Sequence, residues 1–353
     1  MRGPALSSTL RLAFAAARRG QGAKRIIDQT QLTGGPVKRS FSVAVLCGLM
    51  AVGSGVGQTP YFSNSILNLY DAFGSGRRGT VPDWGYSALI HYNGKTILFD
   101  SGNNTEIFEH NVKALGVDLS KVDFAILSHY HADHFSGFDY LLRVNPNVKI
   151  YLPDEPELGA PVDFTLSSEP EGELKGIPSE DLYFGGAKKA IVYRATGPFP
   201  HSNHEFVNKT RQIMPGVFLI ATHASKMGFF DAYPPNSEQH PELDGLPELS
   251  LALQTAKGIV IVTGCSHTRV EEIIRITQRF VAPQIELVAG GYHLFPYDRK
   301  YVEDLARLMK SDLRVHRVAP AHCTGNLAFK IFREVFGADY AYAGLESEVT
   351  FPQ

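Results

Sequence analysis

The stretch Ser-His-Tyr-His-Ala-Asp-His-Phe-Ser-Gly, from Ser128 to Gly137, holds the strongest pattern in the chain. The apolar residues 122–127 precede it, and so short an apolar run predicts a buried strand. Three histidines and one aspartate fall within six positions, namely His129, His131, Asp133 and His134. Imidazole nitrogens and carboxylate oxygens are ligands that zinc, iron and manganese accept. The stretch therefore predicts a metal site at the end of a strand; the alternative is a polar loop that holds several histidines by chance.

The order of these residues resembles that of a known superfamily. The pattern His-x-His-x-Asp-His after a buried strand, with Gly137 just beyond it, is similar to the metallo-β-lactamase superfamily. The resemblance implies an αββα four-layer sandwich, an α+β fold of mixed sheets with helices on the outer faces, and two metals at one edge. The alternation of strands and helices along the chain, with two hairpins, also fits a sandwich better than a doubly wound sheet.

Composition and charge limit the class of protein. The chain has 353 residues, of which 44% are apolar and 20% charged, and its formal net charge is −2. These values suit one large or two small globular domains with an ample core. The near-neutral charge gives no electrostatic case for a nucleic acid or an anionic membrane surface. We therefore expect a small-molecule substrate and no nucleic-acid partner, and the oligomeric state stays open.

The first 57 residues are predicted to be a leader. No acidic residue precedes Asp28, six basic residues do, and residues 41–57 are mostly apolar or small. A basic region, an apolar region and small residues in that order indicate a secretory signal peptide. Seventeen residues interrupted by four glycines are short for a membrane span. We expect an exported protein, periplasmic or secreted, with no stable membrane span after processing; an organelle transit peptide is the alternative.

Residues 60–353 are predicted to form the metallo-β-lactamase-like domain. Runs rich in Pro, Gly, Glu and Ser suggest a loop-rich insertion over the surface at about residues 153–200. The predicted strands are 65–70, 86–92, 96–99, 148–152, 217–221, 249–254, 259–263, 315–319 and 342–350. The predicted helices are 106–115, 138–144, 270–280, 298–310 and 326–336.

Two later loops complete the predicted set of metal ligands. His267 lies in Gly-Cys-Ser-His after the strand 259–263, and His322 follows the strand 315–319, where the superfamily places its last metal histidine. The first metal is expected on His129, His131 and His267, and the second on Asp133, His134 and His322. His223, after the strand 217–221, is the alternative to His267.

Three residues beside these ligands have open roles. Many superfamily members have a metal-bridging Asp after the glycine where this chain has Cys265, so Cys265 is a thiolate ligand, an inert buried residue or the neighbour of a bridging hydroxide. Asp100 follows a strand, and the resemblance implies that it orients a histidine; the alternative is a simple turn residue. His293 follows a glycine pair and is predicted to bind substrate or donate a proton, or to cap its strand.

The motifs Gly-Cys-Ser-His, Gly-Gly-Tyr-His-Leu and Pro-x-His-Cys-Thr-Gly narrow the resemblance. Together they are similar to the subgroup typified by the dihydropterin-methyl-ribofuranosylaminobenzene-phosphate synthases. The resemblance implies two divalent metals, zinc with iron or manganese as alternatives, that activate a hydroxide toward an ester, lactone, amide or phosphoester. Asp133 and His293 are the predicted catalytic residues. The alternatives are a pterin-precursor synthase, a mononuclear iron oxygenase and a non-catalytic binding protein on the same fold.

Overall fold

The computed structural model describes residues 63–154, 173–187, 202–224 and 246–353, and the backbone of residues 163–165 and 190–192. The predicted leader, with its signal at 41–57, and much of the predicted insertion lie outside the described residues. Within the described part of the chain, no helix has the length and apolar character that crossing a membrane requires.

The described residues contain fifteen strands and six α-helices. The strands are β1 Ser65–Tyr70, β2 Ser87–Tyr92, β3 Lys95–Phe99, β4 Phe124–Ile126, β5 Lys149–Pro153, β6 Asp163–Thr165, β7 Ala190–Val192, β8 Asn203–Val207, β9 Arg211–Met214, β10 Val217–Ala224, β11 Leu246–Thr255, β12 Gly258–Thr263, β13 Ile285–Gly291, β14 Val315–Ala321 and β15 Glu348–Thr350. The helices are α1 Thr105–Ala114, α2 Ala132–Phe135, α3 Phe138–Val144, α4 Val270–Phe280, α5 Arg299–Ser311 and α6 Asn326–Phe336.

Two mixed sheets form the centre of the fold. The seven-stranded sheet has the order β15-β1-β2-β3-β4-β5-β8, and the six-stranded sheet has the order β14-β13-β12-β11-β10-β9. Side chains of both sheets share one buried cluster, in which Ile90 and Phe99 of the first sheet lie with Leu251 and Val262 of the second. Helices cover the outer faces, α1 and α3 on the first sheet and α4, α5 and α6 on the second. The predicted αββα sandwich is confirmed.

Local sequence accounts for the ends of several elements. Asn93 and Gly94 join β2 to β3 with φ angles of 47° and 77°, which both residue types tolerate in a tight hairpin. The side chain of Asn104 accepts hydrogen bonds from the first amides of α1, and that of Asp298 caps α5 through Tyr301 N. The helix 106–115 predicted from sequence is thus shifted by one residue toward Asn104.

The predicted strand 342–350 is wrong for most of its length, because only Glu348–Thr350 pairs as a strand. Leu345 N donates to Phe73 O, and Glu346 N donates to Asn68 O. Glu346 also has a φ angle of 66°, a left-handed conformation that a regular strand excludes. These contacts bend the segment around the end of β1, so its apolar residues pack without forming a ladder.

Two further expectations need correction. His223 does not follow a strand: β10 extends through it, and His223 pairs with Pro247 in the neighbouring strand. The predicted insertion does not run wholly over the surface either, because Tyr183 is buried in the core beneath α6. The rest of the described segment 173–187 contains short 3₁₀ turns at Ser179–Asp181 and Phe184–Gly186.

Candidate metal centre

The residues predicted to bind metal lie at the carboxyl ends of strands. The loop after β4 carries His129 and His131 and leads into α2, whose first residues include Asp133 and His134. The loop after β12 carries His267, and His322 directly follows β14. The loop after β13 carries His293. These ends meet at one edge of the sandwich, so residues almost 200 positions apart in sequence share one site.

The first group consists of three histidines. His129, His131 and His267 place ring nitrogens within 4.8 Å of one another, close enough to hold one ion. The ring centroids lie 4.6 Å apart for His129 and His131, 4.8 Å for His129 and His267, and 4.7 Å for His131 and His267. His223, the alternative to His267, is exposed on β10. The structure thus brings together the three histidines expected at the first metal.

The second group consists of Asp133, His134 and His322, whose ligand atoms also lie within 4.8 Å of one another. Asp133 Oδ2 is 3.7 Å from His134 Nε2 and 3.5 Å from His322 Nε2. All three side chains are buried. The carboxylate therefore lies between two imidazoles, as it would beside a shared cation.

The donor atoms fit metal ions. His129 Nε2, His267 Nε2 and Asp133 Oδ1 are buried and have no hydrogen-bond partner among the described residues. A buried polar atom without a partner costs about 1–3 kcal/mol, which a bound cation would offset. Burial, with neighbouring histidines, lowers the pKa of His129 and His267 and lowers that of His131 to about 3. These rings are therefore neutral at pH 7, and neutral imidazole is the form that coordinates a metal.

Asp100 orients the histidines of the loop after β4. Its carboxylate accepts hydrogen bonds from Ser128 N and Ser128 Oγ at 2.7 Å each, and its Oδ2 lies 2.7 Å from His134 Nδ1. Ser128 Oγ lies 2.8 Å from His129 Nδ1. Both rings therefore use Nδ1 for these contacts and keep Nε2 for the centre. The predicted contact between Asp100 and a histidine is confirmed. Gly264 allows this packing, because a Cβ there would collide with Ser128 Oγ.

The pKa of His134 differs in direction from those of the other rings. Burial, the largest single influence, lowers it, but the carboxylates of Asp133 and Asp100 together outweigh burial and raise the pKa. Burial also raises the pKa of Asp133 to about 6. The two carboxylates flank His134 on opposite sides, with Asp100 at Nδ1 and Asp133 nearest Nε2.

Two more buried carboxylates hold the other loops, and the sequence analysis did not identify them. Glu248 accepts hydrogen bonds from His267 N and Thr268 N at 2.9 Å each. Asp71 accepts one from His322 N at 2.9 Å. Burial raises the pKa of both carboxylates, to about 7 for Asp71. The available signal was an acidic residue within or just after an apolar strand, which does not reveal its partner.

The hydroxyl of Tyr183 gives the loop of His322 a second hydrogen-bonded support, in addition to Asp71. The hydroxyl of Tyr183, from the predicted insertion, donates to His322 O and accepts from Gly325 N.

Four non-glycine residues in the loops around the centre have left-handed backbone conformations. The φ angles of Asp100, Ser266, His293 and His322 are 56°, 67°, 53° and 46°. Each such non-glycine conformation costs on the order of 1–3 kcal/mol and persists only where surrounding contacts enforce it.

Among the described residues, one side of the centre is less buried than the rest, and we call it the open face. His131, His267, His293 and Phe295 are half-buried there, whereas His129, His134 and His322 are fully buried. The ring of His293 lies 4.3 Å from that of His267 and 5.5 Å from that of Phe295. A substrate that reaches the centre from this face would meet His293 before the buried rings.

Comparisons with known proteins agree with this geometry. A family model described as the metallo-β-lactamase superfamily matches residues 82–225, which include the loop after β4. A crystal structure of a metal-dependent hydrolase of the β-lactamase superfamily superposes with a TM-score of 0.59 and 21% identity, over 82% of this chain and 100% of that chain. Residues 82–225 thus match the metallo-β-lactamase superfamily, and the described residues have the fold of this neighbour.

Two curated proteins of different activity are similar to parts of this chain. It is 28% identical over 281 residues to the 7,8-dihydropterin-6-methyl-4-(β-D-ribofuranosyl)-aminobenzene-5′-phosphate synthase of Methanocaldococcus jannaschii, which covers 73% of this chain and 88% of that relative. The resemblance to these synthases is confirmed. It is also 34% identical to ribonuclease Z of Agathobacter rectalis, but over 77 residues that make up only 21% of the chain.

Proposed function

We propose that the protein is a metal-dependent hydrolase with two divalent ions. His129, His131 and His267 would hold the first ion, and Asp133, His134 and His322 would hold the second. The observation that carries the proposal is the pairing of two ligand groups at one edge, each with its ligand atoms within 4.8 Å. A single-ion site would leave one of these buried groups without a cation.

The bound ions would supply a water molecule of lowered pKa and a Lewis acid for the negative charge that develops on the substrate. Asp133 would bind the second ion through one oxygen and orient the attacking water through the other; the lack of a described partner for Oδ1 supports this role. Asp100, Glu248 and Asp71 fix the positions of the three loops, because each carboxylate accepts a hydrogen bond from a backbone amide of one loop. Because these carboxylates hold the loops in place before a substrate binds, the ligand residues need not reorganise during the reaction.

His293 is proposed to contact the leaving group. It lies on the open face next to His267, where a substrate bound at the centre would place its departing oxygen or nitrogen. From there its ring can donate a hydrogen bond or a proton to that atom. The half-buried Phe295 beside it offers apolar surface to the substrate. We propose an ester, lactone, amide or phosphoester of a small molecule as the substrate class.

The second candidate is a synthase that acts on a pterin precursor. The 28% identity to the archaeal synthase, over 73% of this chain, favours it. Such a reaction would use the same metal ligands but needs room for two substrates on the open face. A mononuclear iron oxygenase would need only one of the two ligand groups.

The test is a metal count followed by a substrate panel. The protein loaded with zinc, manganese or iron is assayed on an ester, a lactone and a phosphodiester, and on a pterin precursor with its aminobenzene partner. Hydrolysis that Asp133→Asn abolishes and His223→Ala preserves supports the hydrolase. Condensation without hydrolysis would favour the synthase, and oxygen consumption with a single bound iron would favour the oxygenase.

Export also remains a proposal. It rests on the basic and apolar patterns before residue 58. Mass spectrometry of the mature amino terminus after expression in a secreting host tests it, because a processed end near residue 57 is expected and an intact leader would contradict it.

A further inference from the structure

Side chains from two distant parts of the chain bind the backbone of His322 on both sides. His322 N donates to Asp71 Oδ2 at 2.9 Å. His322 O accepts from the hydroxyl of Tyr183, which in turn accepts from Gly325 N at 2.6 Å. His322 has a φ angle of 46°, a conformation that persists only where its surroundings enforce it. The two bonds therefore hold this ligand residue in a conformation that its own segment does not favour.

Tyr183 belongs to the described segment 173–187 of the predicted insertion, which we call the strap. Two backbone amides of the strap are bonded to elements beside the centre. Tyr183 N donates to Asn326 Oδ1 at 2.9 Å, at the first residue of α6. Phe184 N donates to Ala72 O at 2.6 Å, in the segment after β1. The strap is thus joined to both sides of the loop that carries His322.

These bonds form a closed ring of contacts. Asp71 binds His322 N, and the adjacent Ala72 binds the strap. Tyr183 then returns from the strap to His322 O. Because Tyr183 is only 5% exposed, water has little access to replace these bonds. The strap therefore cannot leave its position without breaking a contact that fixes the backbone of His322.

The ring belongs to one of the two ligand groups. His322 shares the second group with Asp133 and His134, whereas the first group contains no residue from this loop. The indole of Trp84 lies 5.1 Å from the ring of His322 and 5.4 Å from that of Tyr183, so it packs against both. Displacement of the strap would thus disturb the second group and leave the first in place.

We propose that Tyr183 is a positioning residue for the second metal site, and that binding of the second ion and docking of the strap stabilise each other. The ion needs the ring of His322 beside Asp133, and Tyr183 fixes the backbone that carries this ring. Thermodynamic reciprocity gives the reverse effect, because the factor that docking adds to the ion's affinity is also the factor that the ion adds to docking. This inference rests on the proposed dinuclear function and adds a role for the insertion.

The first experiment compares two buried tyrosines in the full chain. Tyr183→Phe removes the hydroxyl and keeps the ring that packs on Trp84. Tyr92→Phe is the matched control, because the hydroxyl of Tyr92 donates to Gln254 O at 2.6 Å and has no described bond to either ligand group. In a zinc titration that resolves two binding steps, Tyr183→Phe should weaken the second step by roughly ten- to a hundredfold, the usual effect of losing an outer contact. Its first step, and both steps of Tyr92→Phe, should match the wild type.

Hydrogen exchange gives a second readout that needs no change in the strap. The amides of Tyr183 and Phe184 are bonded across the contacts of the strap, so they exchange when it undocks. Zinc should slow their exchange in the wild type by about the factor that Tyr183→Phe removes from the affinity. Zinc should not slow it in Asp133→Asn, where the second ion is lost.

The possible failures are distinguishable. Unchanged affinities in Tyr183→Phe, or an equal loss at both steps, would overturn the positioning role and leave the dinuclear centre intact. Exchange of the strap amides that zinc does not alter, in a wild-type protein with two bound ions, would overturn the coupling even if Tyr183→Phe does not fold. Binding of fewer than two ions by the wild-type protein would overturn both this inference and the proposed function.

Discussion

His134 Nδ1 and Asp100 Oδ2 lie 2.7 Å apart, and both side chains are fully buried. Because Nδ1 is engaged by this carboxylate, only Nε2 can face the centre, where it meets Cys265 and Asp133. Ser128 extends the same arrangement to His129. A single aspartate thus sets the orientation of one ring in each ligand group, directly for His134 and through Ser128 for His129.

Asp100→Asn should lower metal affinity by roughly ten- to a hundredfold, the usual effect of losing an outer contact to a ligand histidine. The amide nitrogen would face a donor and leave at least one of the three contacts unmade. Isothermal titration with zinc measures the change. Asp118→Asn is the control, because Asp118 also accepts hydrogen bonds from the backbone amide and hydroxyl of a serine, Ser120, but lies on the surface. The zinc affinity of this variant should match that of the wild type. Equal affinities in both variants would refute the orienting role.

Asp133→Asn should weaken the second metal site selectively and leave the fold intact. The amide keeps the size of the carboxylate but loses the charge that lies between His134 and His322. The first group contains no atom of Asp133 and should keep its ion. Metal titration that resolves two binding steps checks this, and unchanged affinity at both steps would count against the assignment.

His267→Ala should abolish binding at the first site, because two histidines alone hold an ion weakly. The matched variant is His223→Ala, which removes an exposed ring on β10 and should keep both ions. Circular dichroism establishes that both variants fold. Loss of the ion in His223→Ala, with retention in His267→Ala, would reverse the assignment.

Glu248→Gln should destabilise the protein by about 1–3 kcal/mol, the cost of an unsatisfied buried polar group. Its two oxygens accept the amides of His267 and Thr268, and a glutamine amide can satisfy only one of them. Glu346 accepts the amides of Arg77 and Arg78 in the same way near the surface, where water can replace it. Glu346→Gln should therefore lower the free energy of unfolding by less than Glu248→Gln does. Denaturant unfolding compares the two, and a larger loss for Glu346→Gln would contradict the role of burial.

The parts of the site that the sequence predicted are local. His129, His131, Asp133 and His134 lie within one loop, so their spacing alone indicates their chemistry. Residues 93–94 likewise define their hairpin without distant partners. The prediction for His322 came from the family resemblance, and that for His267 came from the strand and the glycine that precede it. Nothing in either segment shows by itself that the ends of β12 and β14 meet the loop after β4.

The parts that were missed depend on distant partners. The contact between Asp71 and His322 N spans 251 positions, and that between Tyr183 and His322 O spans 139. Neither Asp71 nor Tyr183 lies in a local sequence pattern that distinguishes a residue bonded to a distant loop from an ordinary turn or loop residue. The same reason explains the failed strand at 342–350, whose backbone pairs with Phe73 and Asn68.

The most direct test of the account is the number of metal ions per chain. Native mass spectrometry and elemental analysis, applied after loading with excess zinc and removal of the free ion, measure it. Two ligand groups that meet at one edge predict two ions, with Asp133→Asn reduced to one. One tightly bound iron, and no second occupied site under excess zinc or manganese, would contradict the dinuclear centre.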